Sequence, residues 1–298
     1  MPTPNGPLSF FAIIQEDGSE RINLLRTTSA VQEKLTDIFL NESQKLSDIS
    51  LDRVPFTQTY RTDDSEIFSI SGFQLDAGLE TAIDDPASVD SLDLSAGDIP
   101  PIKAIFTGWK IGKDELKVAF QLFKKNQYLT RSGISLILSS GTFNELATPG
   151  IIISYELVAL YENGELLFNS YYQARQVLSL ADYYREATRA DIDSFVSNDN
   201  IVVEDVEAFN EMADTWVRRK LAIIQDGGLL EAVSVPDIVS KASEFNIQIS
   251  TRSEDGVEVI EVPEDKRAVK ELLRFLDEDY FEGPLSAAKY LSNSKRSA

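Results

Sequence analysis

Apolar residues concentrate in two runs near the middle of the chain and predict a β-hairpin over residues 151–173. The runs IIISYELVALY and LLFNSYY flank Asn163-Gly164, a dipeptide that tolerates the positive φ angles of a two-residue type I′ turn. The first run is almost continuously apolar, which indicates a central strand covered on both faces. We therefore expect the rest of the chain to pack around this hairpin.

Shorter patterns extend this hairpin into an antiparallel, meander-like sheet of about five strands. The other members are predicted at residues 102–110, 116–125 and 134–139. In the middle one of these, alternation places Val118 and Phe120 in the core. The same alternation leaves Lys117 and Gln121 in water. A further strand is predicted at residues 66–73.

The N-terminal segment predicts one hairpin and one helix. Residues 8–14 and 20–26 are two β-prone runs that are joined by an Asp-Gly turn. Ser29 and Gln32 have the spacing of a capping box, so we expect a helix to begin there. It should end within the polar segment 41–52.

Beyond residue 175 the period of the apolar residues changes from that of strands to that of helices. The predicted helices cover residues 180–196, 206–224, 236–245 and 266–276. Gly227-Gly228 is the stop signal of the second helix, and residues 246–262 predict a small hairpin. The fold class is therefore α+β, with residues 1–175 as a β-rich sheet domain containing one early helix and residues 176–298 as a helix-rich region.

Composition excludes several chemistries. The chain has neither cysteine nor histidine, which rules out disulfides, thiolate zinc sites, a Cys nucleophile and every mechanism with a His base. Its net charge of −21 argues against general attraction to phosphate or anionic lipid. The first residues lack the cationic flank of a signal peptide, and no run approaches the roughly 18 apolar residues of a membrane span. We expect a cytoplasmic protein without a cofactor, which reaches a membrane only through a partner.

Two neighbouring segments carry opposite charge. Residues 76–101 lack Lys and Arg, which indicates a solvated acidic loop or linker, with a carboxylate metal site or a mimic of nucleic acid as alternatives. The next segment contains the basic island, which consists of Lys103, Lys110, Lys113, Lys117, Lys124, Lys125 and Arg131. Such lysines also protect sheet edges, but their excess in an acidic chain favours contact with backbone phosphates. A smaller cluster, residues 218–220, would equally suit the C-terminal end of a helix.

One catalytic pattern is also present. Asp98 precedes Glu115-Leu116-Lys117, and an Asp followed by Glu-x-Lys is typical of restriction-type nucleases. In those enzymes carboxylates hold Mg²⁺ and the Lys positions the attacking water. The pattern is short and arises often by chance, so a polar turn that enters a strand is the plainer interpretation.

Two stretches of the C-terminal half resemble a known family. One is GELLFNSYYQARQVLSLADYYRE, residues 164–186, a passage from strand to helix. The other is KELLRFLDEDYFEGPLSAAKYLSNSKR, residues 270–296, in which a helix precedes an acidic Leu-Asp-Glu-Asp stretch, a small-residue turn and Asn-Ser-Lys-Arg. The order of these elements is similar to that of the KwaB-like proteins of the Kiwa anti-phage defence system.

The resemblance implies an intracellular, non-enzymatic effector that binds DNA and restrains phage replication or transcription. It also implies self-association and a small multi-pass partner protein in the inner membrane. With the charge, it makes Lys295 and Arg296 candidate phosphate or subunit contacts, in a tail that otherwise predicts disorder. Two other classes stay open, namely a Mg²⁺-dependent nuclease that uses Asp98, Glu115 and Lys117, and a protein-interaction subunit whose acidic surface docks a partner.

Overall fold

A computed structural model of the chain describes residues 4, 6–93, 100–111, 115–129, 134, 136–146, 150–184, 188–292 and 294–295. The chain divides into two compact units. Unit 1 consists of residues 1–56 and 62–180, and unit 2 consists of residues 57–61 and 181–298. The mixture of helices with a large, mainly antiparallel sheet confirms the α+β class.

Unit 1 is built around one large sheet. The strands of the unit are β1 (Phe10–Glu16), β2 (Ser19–Leu24), β3 (Asp52–Pro55), β4 (Glu66–Ser71), β5 (Ile102–Ile111), β6 (Glu115–Leu122), β7 (Tyr128–Leu129), β8 (Leu136–Ser139), β9 (Thr142–Glu145), β10 (Gly150–Ile151), β11 (Ala159–Glu162) and β12 (Glu165–Phe168). Among these, β7 pairs with β10 and β8 with β9 outside the large sheet. The helices of the unit are α1 (Ser29–Leu46), α2 (Ala77–Asp84) and α3 (Tyr171–Ala174). The large sheet has the order β2-β1-β5-β6-β11-β12-β4-β3, in which only β3 and β4 pair in parallel.

The predicted central hairpin is confirmed, because β11 and β12 pair inside this sheet. Asn163 and Gly164 have φ angles of 53° and 80°, as a type I′ turn requires. The first arm is shorter than predicted, because residues 152–158 leave the ladder. In this segment the Gln121 side-chain amide donates to the carbonyl of Ser154 at 2.7 Å, so a side chain satisfies a group that a longer strand would have paired.

Both faces of the sheet are covered, which corrects the alternation predicted for β6. Lys117 and Gln121 were placed in water by that alternation, but both side chains are buried. One face packs on α1, whose Phe39 belongs to the core on that side. The opposite face carries the buried rings of Phe106 and Phe120. Because β6 has no water-facing side, its polar residues must find partners inside the protein.

Helix α1 begins and ends where predicted but is capped differently. Its N-cap is Thr28, which makes no side-chain capping bond. The amide of Gln32 donates to the carbonyl of Leu8 at 2.9 Å, so the predicted capping box is wrong. The helix continues to Leu46 because Ser43 and Leu46, within the polar segment, face the core.

The acidic segment is not wholly a loop, which corrects a second prediction. Asp76 caps α2, since its Oδ1 accepts a hydrogen bond from the backbone N–H of Gly78 at 2.7 Å. Leu79 and Ala82 then bury one side of this helix. Local capping and two apolar residues were enough to order residues 77–84, which the high content of carboxylates had obscured.

The strand predicted at residues 134–139 exists as β8 but does not join the large sheet. It pairs with β9 in a separate hairpin whose residues are all exposed. Leu136, Leu138 and Phe143 lie on one face of it and are 60%, 61% and 66% exposed. We call this hairpin the apolar arm. The predicted five-strand meander is therefore wrong in both strand number and order.

Unit 2 surrounds a small three-stranded sheet with helices. Its helices are α4 (Arg189–Val196), α5 (Val206–Met212), α6 (Thr215–Gly227), α7 (Leu229–Ala232), α8 (Val235–Glu244) and α9 (Lys266–Leu276). Its strands are β13 (Ile201–Val202), β14 (Thr251–Glu254), β15 (Val257–Glu261), β16 (Tyr280–Glu282) and β17 (Lys289–Leu291). The sheet order is β13-β15-β14, and α6 and α9 contribute Leu221 and Leu273 to the same core.

The helix predicted at residues 266–276 is confirmed, and others differ in length. The predicted helix 206–224 is two helices, because the chain breaks at Ala213 and Asp214 caps α6 through the backbone N–H of Val217 at 3.0 Å. Gly228 ends α6 in the left-handed conformation, with φ of 61°, as the Gly-Gly signal predicts. No helix among the described residues is long and apolar enough to cross a membrane.

Candidate nucleic-acid interface

Helix α9 carries four cations and has one strongly apolar side. Lys266, Lys270 and Arg274 are spaced i, i+4 and i+8, so they follow one side of the helix. We call these three residues the α9 stripe. The buried side of the helix consists of Val269, Leu272, Leu273 and Leu276. Because the apolar side is held in the core, the stripe has a fixed position on the surface of unit 2.

The stripe lies against an aromatic ring of helix α6. Trp216 is partly buried in the first turn of α6. The Lys270 Nζ is 5.2 Å from the centroid of its ring, and the Arg274 guanidinium carbon is 5.5 Å from it. Both distances fall within the range of a cation–π interaction. We call Trp216 with the α9 stripe the α6–α9 surface.

A single carboxylate positions two cations of this surface. Asp214 Oδ2 is 3.0 Å from the Lys266 Nζ and 2.8 Å from the Lys270 Nζ. Burial of Asp214 alone would raise its pKa, but hydrogen bonds from Lys270, Val217 and Lys266 outweigh that effect and hold the pKa well below its usual value. Asp214 is therefore ionised at neutral pH, where it neutralises part of the stripe and orients its lysines.

Cations still exceed carboxylates on the two helices. Helix α6 contributes Arg218, Arg219 and Lys220, and α9 contributes Arg267 besides the stripe, whereas their acidic residues are Asp226 and Glu271. The helix end, one of the two interpretations of the cluster at residues 218–220, is wrong, because the last turn of α6 has no basic residue. Two basic runs that are distant in the sequence thus lie on two helices that pack against each other.

Lys220 is the one buried member of these two basic runs. Its side chain is 3% exposed and forms ion pairs with Asp277 and with Asp279, whose Oδ2 lies 2.7 Å from the Lys220 Nζ. Asp277 and Asp279 are also buried. The isolated charge of a buried ammonium would be very costly, so this lysine is a structural residue beneath the α6–α9 surface.

The predicted tail contact Lys295 belongs to the same cluster. Its Nζ is 3.0 Å from Asp277 Oδ1 and 3.3 Å from Asp279 Oδ1. Its backbone N–H also donates to the carbonyl of Thr59 at 2.7 Å. Lys295 therefore balances buried carboxylates in this structure, and Arg296 lies outside the described residues.

The basic island is largely paired with carboxylates where it is described. Lys103 lies 2.5 Å from Glu20 and Lys110 lies 2.6 Å from Asp84. Lys117 is buried and lies 2.6 Å from Glu162. Lys124 and Lys125 are exposed at the end of β6, next to the short 3₁₀ turn Lys125–Gln127. Lys113 and Arg131 lie outside the described residues.

The structure describes only two of the three residues of the nuclease pattern. Asp98 lies outside the described residues, Glu115 is exposed at the start of β6, and Lys117 is bound to Glu162. Glu162 also pairs with Arg53 at 2.5 Å. Burial would raise the pKa of Glu162, but hydrogen bonds and charges from Lys117 and Arg53 lower it overall. Within the described part of the chain, no group of three or more acidic side chains is arranged to hold a metal ion.

Sequence reasoning missed the α9 stripe and Trp216, although part of the signal was present. The i, i+4, i+8 spacing of Lys266, Lys270 and Arg274 can be read from the predicted helix. The contact with Trp216 could not be read from it, because that contact depends on how α6 and α9 pack. Charge density along the chain drew attention to the basic island instead, where ion pairs that join distant residues neutralise most of the described lysines.

A comparison with protein families gives one match. A family model described as Kiwa protein KwaB-like matches residues 115–286, which is more than half of the chain. The match confirms the resemblance and extends it towards the N-terminus, and it contains the whole α6–α9 surface. No curated protein and no solved structure matches the chain.

The buried ion cluster leads to a prediction about stability. Replacing Lys220 by Met should lower the free energy of unfolding by about 3–5 kcal/mol, because Asp277 and Asp279 would lose a buried counterion. Urea denaturation of the two proteins measures this difference. The matched control is Lys241→Met, which removes an exposed lysine paired with Glu244 on α8 and should change stability by less than about 1 kcal/mol. Equal effects of the two substitutions would contradict the structural role of Lys220.

Asp214 leads to a prediction about pH. Its pKa is lower in the folded protein than in the unfolded chain, where it should be near the reference value of about 3.9. Its ion pairs therefore stabilise the fold above about pH 4, and this contribution is lost as the pH falls through the lower, folded pKa. Asp214→Asn keeps an N-cap residue but removes the charge. The stability gap between wild type and variant should be largest near neutrality and shrink in acid, and a gap independent of pH would show that Asp214 acts through capping alone.

Proposed function

The chain belongs to the KwaB-like family and is a component of the Kiwa anti-phage defence system, and from this premise we propose that it acts by binding DNA. The observation that carries the proposal is the α6–α9 surface, where Lys270 and Arg274 of α9 lie against the ring of Trp216 on α6. Lys and Arg side chains contact backbone phosphates, and aromatic rings beside them contact sugars and bases. This surface lies within the region shared with the family.

Binding through this surface would be short-ranged and insensitive to base sequence. The net charge of −21 opposes long-range attraction of DNA. Affinity must then come from close contacts of the stripe with phosphates, which carry no base information. A non-enzymatic protein that occupies DNA in this way would restrain replication or transcription of the phage genome by obstruction.

The exposed pair Lys124 and Lys125 is a second proposed contact with phosphates. Neither side chain is buried, and Asn126 and Tyr128 beside them add polar and aromatic character. Of the basic island's described lysines, Lys103, Lys110 and Lys117 are in ion pairs. Contact through Lys103, Lys110 or Lys117 would first require that a phosphate displace a carboxylate.

We also propose that the protein is cytoplasmic, self-associates and is held at the inner membrane by a small multi-pass protein of the same system. Support for this partner is membership of the family. The alternative role as a purely acidic docking subunit would require the same partner but no DNA. Co-purification of the two proteins from detergent-solubilised membranes tests the partner, and DNA binding separates the two roles.

Salt dependence of DNA binding tests the proposed interface. The variant Lys270→Gln/Arg274→Gln should bind every duplex sequence more weakly and should reduce the slope of log K against log salt by roughly 2, because each neutralised phosphate contributes about −0.9. Lys124→Glu/Lys125→Glu should flatten the slope in the same way. The control Lys241→Gln should leave affinity and slope unchanged. Wild-type affinity and slope in both double variants would exclude these surfaces as the DNA interface.

The absence of hydrolysis is a separate expectation. The purified protein should leave plasmid DNA intact with Mg²⁺ or Mn²⁺, because a protein that only binds DNA performs no chemical step. Agarose gel electrophoresis of supercoiled plasmid measures nicking at high sensitivity. Cleavage that disappears in Glu115→Gln would instead support the Mg²⁺-dependent nuclease with Asp98, Glu115 and Lys117.

A further inference from the structure

The hairpin formed by β16 and β17 has one face packed on unit 2 and one face turned away. Tyr280 packs against Phe245 and Phe275, with ring centroids 6.1 Å and 6.3 Å apart. Residues next to each other in a strand point to opposite faces. Phe281, and Tyr290 directly across from it, therefore occupy the outer face, where each is 45% exposed.

The two outer rings form an ordered pair. Their centroids are 5.2 Å apart and their planes differ by 20°, which is a stacked arrangement. The Tyr290 ring lies close to the backbone of Gly283, where an added Cβ would be 3.0 Å from its Cε2 atom. The hydroxyl groups of Tyr290 and Ser286 are 3.4 Å apart. The pair is therefore held in place by its own hairpin, although much of both rings is in contact with water.

Cations lie on the inner side of the same hairpin. Arg274, the last residue of the α9 stripe, lies near enough to Tyr280 to act on the pKa of its hydroxyl, which burial and the charge of Glu271 raise. Tyr280 precedes Phe281 in the same strand. Lys289 precedes Tyr290 in the other strand, and its Nζ lies 5.3 Å from the centre of the Phe245 ring. The stripe and the ring pair thus belong to neighbouring parts of one unit.

We propose that the Phe281–Tyr290 pair is a stacking platform for unpaired nucleobases, so that the protein prefers single-stranded DNA over duplex. The proposal rests on the proposed function, because the α6–α9 surface supplies the phosphate contacts. A base inside a duplex has both of its faces covered by its neighbours, whereas an unpaired base can place one face on an exposed ring. Stacking of this kind is tolerant of sequence, because every base has an aromatic face.

The test compares two DNA probes on the full chain. The probes are a fluorescent oligothymidylate of about 20 nucleotides and a duplex of the same length. Phe281→Leu removes the ring but keeps an apolar side chain, and Phe281→Tyr keeps the ring. Phe281→Leu should bind the single strand about tenfold more weakly and leave duplex affinity unchanged. Phe281→Tyr should bind both probes like the wild type, and Tyr290→Leu provides an independent second loss of a ring.

Each result decides the proposal. Selective loss of single-strand affinity in Phe281→Leu and Tyr290→Leu supports the platform. Unchanged single-strand affinity in both variants overturns the platform while duplex binding by the wild type leaves the proposed function intact. Equal loss on the two probes also overturns it, because a general disturbance of unit 2 would act on both. A wild-type protein that binds neither probe would overturn the proposed function, and the platform with it.

Discussion

The ammonium of Lys220 is buried, and the ion pairs that it requires connect two helices of unit 2. Lys220 lies on α6, whereas Asp277 and Asp279 immediately follow α9. The ion pairs therefore tie the exit of one helix to the middle of another. An apolar side chain of similar volume would fill the same space, but it would not dictate where the two carboxylates lie. Trp216 lies one turn before Lys220 on α6, with its ring centroid 5.6 Å from the Lys220 Nζ, and Tyr280 directly follows Asp279, so the ion pairs join the two segments that carry these rings.

Unit 1 also contains a buried lysine that is paired with a carboxylate. Lys117 lies on a strand with both faces covered, and Glu162 on the neighbouring strand is its partner. Arg53 then shares Glu162 and also pairs with Glu165. The buried lysines of both units are thus fully paired with carboxylates. In the α9 stripe, by contrast, Asp214 is the carboxylate between Lys266 and Lys270. A dense run of lysines in the sequence is consequently a poor guide to a basic surface, because burial and ion pairs decide which of them can attract a phosphate from water.

Several parts of the fold could be predicted because their signals are local. Asn163-Gly164 determines its turn through the positive φ angles that it accepts. The helical spacing of the apolar residues Val269, Leu272 and Leu273 determines helix α9. The order of eight strands could not be predicted, because pairing of β1 with β5 and of β12 with β4 joins residues that are distant in the sequence. The α6–α9 surface could not be predicted for the same reason. Its cations are visible one helix at a time, but Trp216 acquires them only through packing.

The apolar arm has a consequence for how this protein behaves in solution. Leu136, Leu138 and Phe143 face water on a molecule whose net charge is −21, so mutual repulsion keeps copies apart when little salt is present. At about 0.1 M ionic strength the screening length is only about 10 Å, and the repulsion fades beyond that distance. Apolar contacts between the arms of two copies would lose no strength under the same conditions. Salt would therefore weaken the proposed attachment to DNA and, at the same time, lower the electrostatic barrier between two copies, so the oligomeric state should be measured at each point of a salt titration.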